Sequence, residues 1–327
     1  MPDTGQPERF RDRRIVFANG AVGLKLTIET ATPLNYRQAI SEPDAMPRTA
    51  IDGQLFLPPG AKRGEKLPAV VVVPGSLGIG VSHLAHAETL CGLGAAVLAI
   101  DPFGARGVTS TVANQTHYSF AASAYDVLAA LKVLAARPEI DAARIGAQGH
   151  SRGGAAVMTA ASRRFADPIL GSGPRLRGAY GAYPWSGHQF LDPDIGETAV
   201  RAIIGDRDEW CSVQQVQGHI QAMRVRGGEA SIRIVAGAGH SFDRDTPVET
   251  IQDASVAPST PTAFVADDGS FVHPVEGRPD PGLVDRDLMV YGLKAGYGTK
   301  GAKIGGAPGT PDLFREDMVA FWRRVLW

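Results

Sequence analysis

The chain has 327 residues, a formal net charge of −1, 44% hydrophobic residues and two cysteines. That length allows one large domain or two, and the apolar share is enough for a full core. The charge balance excludes a strongly basic nucleic-acid or anionic-membrane surface, and Cys91 and Cys211 are too few for a disulfide framework.

Met1 to Phe10 lacks the apolar stretch of a secretory signal, and no apolar run approaches membrane-span length. A cytoplasmic protein without membrane or nucleic-acid partners is therefore expected. No composition shift marks a linker before Val235, so residues 1–327 are expected as one domain. Residues 1–48 form its N-terminal extension and antiparallel strands, with alternation over 13–30 and again over 49–57. Pro33 to Pro47 reads as a loop. Leu67 to Pro74 is a near-continuous apolar run, as in a central parallel strand covered on both faces. A helix over 81–93 and a strand over 95–100 follow, then the loop Asp101 to Gly107, then a long Ala- and Leu-rich helix over 114–137. Strands are expected over 143–148, 178–183, 199–204 and 230–235. This alternation of strands and helices predicts an α/β fold with a mostly parallel sheet and helices on both faces.

Residues 243–309 differ, being rich in Gly, Pro, Asp and Thr, with one hairpin pattern turning at Asp267-Asp268-Gly269. This long loop-rich insertion leaves from the His240 loop, so it is expected either to cover part of an active-site mouth or to form a surface or homodimer contact. Residues 311–327 read as a final helix, with Phe314, Met318, Phe321 and Trp322 at helical spacing on its core face.

The chemistry centres on Gly149-His150-Ser151-Arg152-Gly153, a G-x-S-x-G pentapeptide between a strand and a helix. Such a turn lifts a serine hydroxyl to the tip of a strained bend. Three acids, Asp206, Asp208 and Glu209, follow the strand at 199–204, and Asp208 is taken as the residue that orients a histidine. His240, on the Gly-rich loop after the strand at 230–235, is the candidate base. The order Ser151, Asp208, His240 is that of α/β-hydrolases and not of the chymotrypsin or subtilisin types. The loop Gly75-Ser76-Leu77-Gly78 after the first central strand lacks the lysine of a phosphate loop and the glycine spacing of a dinucleotide loop. Its Ser76 amide, with Leu77 as the alternative, and the Arg152 amide are the candidate oxyanion donors. Leu77, Arg106, Tyr183 and Trp185 are candidate substrate contacts, Arg106 for a substrate carboxylate or else a structural ion pair. No CxxC or HExxH occurs, and neither a metal site nor a cofactor is expected.

With these residues in place, the chain resembles the dienelactone hydrolase family of the α/β-hydrolase superfamily. The resemblance rests on Asp101 to Gly107, Gly149 to Gly153, Gly205 to Trp210 and Gly237 to Asp243. It implies an α/β-hydrolase fold, and it puts the acid on Asp208 and the histidine on His240. The family's dienelactone hydrolases use a cysteine nucleophile, whereas this chain has Ser151. The implied activity is thus a serine hydrolase cleaving a small carboxylic ester or lactone. A peptidase or acyltransferase on the same residues, or a non-catalytic binding protein on this fold, are the alternatives.

Overall fold

The protein, described from a computed structural model over residues 8–62 and 64–327, is built around one eight-stranded sheet. In chain order its elements are β1 (Leu24–Ala31), α1 (Tyr36–Ser41), β2 (Arg48–Phe56), β3 (Leu67–Val73), α2 (Val81–Gly92), β4 (Ala96–Asp101), α3 (Phe120–Ala135), β5 (Ile140–His150), α4 (Arg152–Ala161) and α5 (Arg163–Leu170). Then come β6 (Gly178–Ala182), β7 (His188–Phe190), β8 (Ala199–Gly205), α6 (Val213–Val225) and β9 (Ala230–Val235). The insertion holds β10 (Glu249–Val256), β11 (Ala263–Val265), β12 (Phe271–Val272), β13 (Pro279–Asp280), α7 (Asp285–Lys294) and β14 (Thr299–Ile304), and α8 (Thr310–Leu326) closes the chain.

The main sheet runs β1-β2-β4-β3-β5-β6-β8-β9, antiparallel at β1/β2 and β2/β4 and parallel from β4 onward. Every residue of β3 is buried, which is why that strand shows no polar alternation. Helices cover both faces. On β6, Tyr180 donates its hydroxyl to Asp317 of α8, whereas Gly181 faces Met158 of α4; neighbouring strand positions point to opposite sides. Trp322 of α8 is fully buried and donates Nε1–H to Gln148 of β5. This helix carries Phe314, Met318, Phe321 and Trp322 into the core, as its spacing predicts.

Several boundaries differ from the sequence expectation. The long helix begins at Phe120 and not at 114, because the Ser119 side chain accepts the Ala122 N–H and caps it. The 33–47 loop contains α1, capped by the Asn35 side chain. Residues 243–309 do hold long connections, and β11 and β12 pair around the anticipated turn. They also hold a β10–β14 ribbon and α7, which their composition does not announce. No helix among the described residues is long and apolar enough to cross a membrane.

Candidate active site

Strand β5 and helix α4 meet at Ser151, whose φ of 55° and ψ of −113° lie outside the ordinary helix and strand regions. The bend exists because two glycines remove side chains where backbone must pass. A Cβ on Gly149 would stand 1.9 Å from the Gly153 carbonyl oxygen, and one on Gly153 would stand 2.5 Å from the carbonyl oxygens of both Val73 and Pro74. Hydrogen bonds clamp the bend: Ser151 N–H donates to Ala182 O at 2.9 Å and Trp185 N–H to Ser151 O at 3.3 Å. Arg152 opens α4, so its own N–H has no preceding turn to bond.

Its side chain has partners far from it along the chain. Arg152 is 2% exposed, and its guanidinium donates to Ser123 Oγ, Gln115 O and Tyr118 O at 3.1, 2.7 and 2.6 Å. It lies 4.4 Å from the Tyr118 ring centroid and 4.1 Å from that of Phe120. One buried arginine thus ties the elbow to the loop before α3 and to the start of that helix.

The acid and the histidine come from the ends of β8 and β9. The His240 Nδ1–H donates to Asp208 Oδ2 at 2.8 Å, with both side chains buried. The other oxygen, Asp208 Oδ1, accepts the N–H groups of Trp210 at 2.8 Å and Cys211 at 2.9 Å, which fixes the carboxylate in place. Of the three acids weighed, Asp206 instead accepts the Gly237 N–H, and Glu209 pairs with Lys303. The His240 ring is held on two sides, by Trp210 stacked at 5.3 Å and by Tyr183 edge-on at 4.7 Å. With Nδ1 committed to a carboxylate, Nε2 keeps its lone pair.

Ser151 and His240 both line a small cavity of about 20 Å³ with Ser76, Leu77 and Tyr183. Ser151 and Cys211 both line a larger neighbouring cavity. Among the described residues the hydrogen bond of the His240 ring is the one to Asp208.

A second cavity of about 160 Å³ opens from Ser76, Ser151 and Arg152. Phe120 and Trp185, stacked at 4.2 Å, form one side, and Val256, Leu288, Met289 and Leu293 of the 243–309 segment form another. Trp185 is therefore at this cavity, while Leu77 and Tyr183 are at the smaller one. Arg106 is at neither. Its guanidinium is bidentate on Asp126 at 2.7 and 3.0 Å and also donates to Thr32 Oγ1, Ala31 O and Pro102 O. The structural alternative for Arg106 is the one the geometry provides.

Burial also sets the acid response of the fold. Loss of solvation holds His83 and His219 down to about 4 and His188 down to about 3, and His150 lies well below the imidazole range for the same reason. In the unfolded chain these rings take protons near 6.5. Lowered folded values mean that the unfolded state binds more protons in between, so this stability is present above roughly pH 6.5 and lost as pH falls toward 4. Asp285 opposes it: burial raises its carboxyl to about 6, a contribution complete at low pH and lost as pH rises through 6. Four rings outweigh one acid. The urea midpoint is expected to be lower at pH 5 than at pH 7, by on the order of a few kcal/mol of stability; an equal or higher midpoint at pH 5 contradicts the buried neutral rings.

A model of the dienelactone hydrolase family matches residues 51–260, well over half of the chain. Among similar solved structures, m3DLH has 18% identity and a TM-score of 0.53 over 93% of this chain and 99% of its own. The Est2 esterase of Thermogutta terrifontis, with propionate bound, has 17% identity and a TM-score of 0.46 over 59% of this chain and 80% of its own. Est1E from Butyrivibrio proteoclasticus has 17% identity and a TM-score of 0.43, over 59% and 86%. At such identities a structural likeness speaks to the fold alone. No curated protein sequence matches the chain.

Proposed function

Because the chain belongs to the dienelactone hydrolase family, and is thus an enzyme on an α/β-hydrolase fold, we propose that it hydrolyses carboxylic esters or lactones through an acyl-enzyme on Ser151. The observation that carries this is the buried His240–Asp208 pair at 2.8 Å, opening onto the same cavity as a backbone-strained Ser151. His240 Nε2 takes the Ser151 proton as the Oγ attacks the carbonyl carbon. The carbonyl π pair moves to oxygen, where the amides of Ser76 and Arg152 receive it. Collapse expels the alkoxide, which leaves with the proton from His240. Water, deprotonated by the same ring, then cleaves the acyl-enzyme and restores Ser151. Asp208 keeps the proton of the neutral ring on Nδ1 and stabilises the imidazolium that forms.

The larger cavity favours an apolar acyl or alcohol group, given its Phe120, Trp185, Leu288 and Met289 walls. In this reading the chain works as one domain and the 243–309 segment is part of the substrate wall. Intact-mass analysis after fluorophosphonate treatment tests the proposal. One adduct is expected on the wild type and none on Ser151→Ala. A wild type that stays unlabelled, or an adduct that persists in the variant, overturns the assignment.

A further inference from the structure

Two sets of three metal-capable side chains stand together among the described residues: Asp208, Cys211 and His240, and His86, His150 and Asp243. In each set the donor atoms lie within 4.8 Å of one another. Charge separates them. The first offers a carboxylate and a thiolate, so a divalent cation with a neutral imidazole completes a site of zero net charge. The second offers one carboxylate and no thiol, so a divalent cation there leaves a net charge of +1. Access separates them as well, since Cys211 lines the larger cavity beside Ser151.

We propose that a zinc-class divalent cation binds between Asp208, Cys211 and His240 and reversibly shuts the active site. Sulfur, nitrogen and oxygen donors together suit zinc or cadmium. On a tetrahedral ion with bonds of about 2.0–2.3 Å, donors sit roughly 3.3–3.7 Å apart, so side-chain shifts of about 1 Å close the set. The proton balance is simple. As the metal–sulfur bond forms, the Cys211 proton leaves to solvent. As His240 Nδ1 takes the metal in place of its bond to Asp208, its proton passes to Nε2. The ring then presents an N–H toward Ser151 in place of a lone pair and cannot accept the serine proton. No electron transfer is involved.

Cadmium reports the site directly through the ultraviolet absorption of a cadmium–thiolate bond. The wild type and Cys91→Ser, the other cysteine being buried in the core, are expected to gain this band with one equivalent of Cd²⁺. Cys211→Ser is expected to lack it, and Ser151→Ala to keep it. Zinc is expected to inhibit ester hydrolysis, with the half-inhibiting concentration at least about tenfold higher in Cys211→Ser than in the wild type, each relative to its own metal-free rate. A band absent from the wild type, a band that survives Cys211→Ser, or zinc sensitivity unchanged in that variant overturns the proposal. The inhibition arm rests on the serine-hydrolase reading, but the absorption arm does not. The expected cadmium bands with no fluorophosphonate adduct on the metal-free wild type would keep the metal site and remove the hydrolase assignment.

Discussion

Replacing Asp208 by Asn is expected to lower kcat by about 10⁴-fold while leaving KM and the fold nearly unchanged. The physical reason lies in the tautomer. Asp208 Oδ2 can only accept, which keeps the His240 proton on Nδ1. In the variant, Oδ1 must still accept the N–H groups of Trp210 and Cys211, which turns the amide NH₂ toward the ring. That NH₂ donates to Nδ1 and drives the proton to Nε2, where it blocks removal of the Ser151 proton. Steady-state kinetics on a simple ester, with Asp206→Asn as the comparison, measures this. Asp206 spends its carboxylate on the Gly237 N–H at the surface, so its variant is expected within a few-fold of the wild type. The reverse ranking of the two variants would move the acid to Asp206.

The second large effect concerns stability. Arg106→Leu is expected to cost roughly 3–5 kcal/mol, because it strands the Asp126 carboxylate, whose side chain is 1% exposed, with the Thr30 hydroxyl as its remaining donor. For a chain of this size the loss corresponds to a drop in Tm of roughly 5 °C. Removing both charges in Arg106→Leu/Asp126→Leu is expected to recover much of it, since the buried unpaired charge and not the missing pair is the main cost. Calorimetry on the two variants, with kcat/KM measured at a temperature where both are folded, checks the point. A normal Tm with a raised KM for a carboxylate-bearing ester would return Arg106 to substrate binding.

The legible parts of this chain were those where one residue type has one physical use. An unbroken run such as Val70-Val71-Val72-Val73 fits a strand buried on both sides, and all four residues are buried in β3. Two glycines around Ser151 serve a bend that no side chain could share. The histidine and acid loops were readable because each follows an apolar strand end, where an open parallel sheet places its ligands. What stayed hidden depends on partners distant in sequence. The β10–β14 ribbon pairs Glu249 with Ile304 across residues that are mostly polar and only half of them exposed, so no hydrophobic period marks it. Helix α7 is short, and its first residue is held by a tertiary bond, Asp285 Oδ2 accepting the Phe120 N–H. Arg152 was read for its amide alone, since nothing local reveals that its side chain runs back to Gln115, Tyr118 and Ser123.

The ribbon has a bearing on how such a protein could arise. Ile304, at its end, bridges to His240, and the Gly305 N–H donates to the His240 carbonyl at 3.0 Å. The long excursion after the histidine therefore departs from and returns to a single point on the scaffold. Chain grafted at such a point asks the host to hold its two ends together, a demand it already meets, and added length then raises the closure cost only slowly. A hydrolase could exchange this excursion for another in one genetic step. The cavity lining supplied by Val256, Leu288, Met289 and Leu293 would change with it, while Ser151, Asp208 and His240 kept their places.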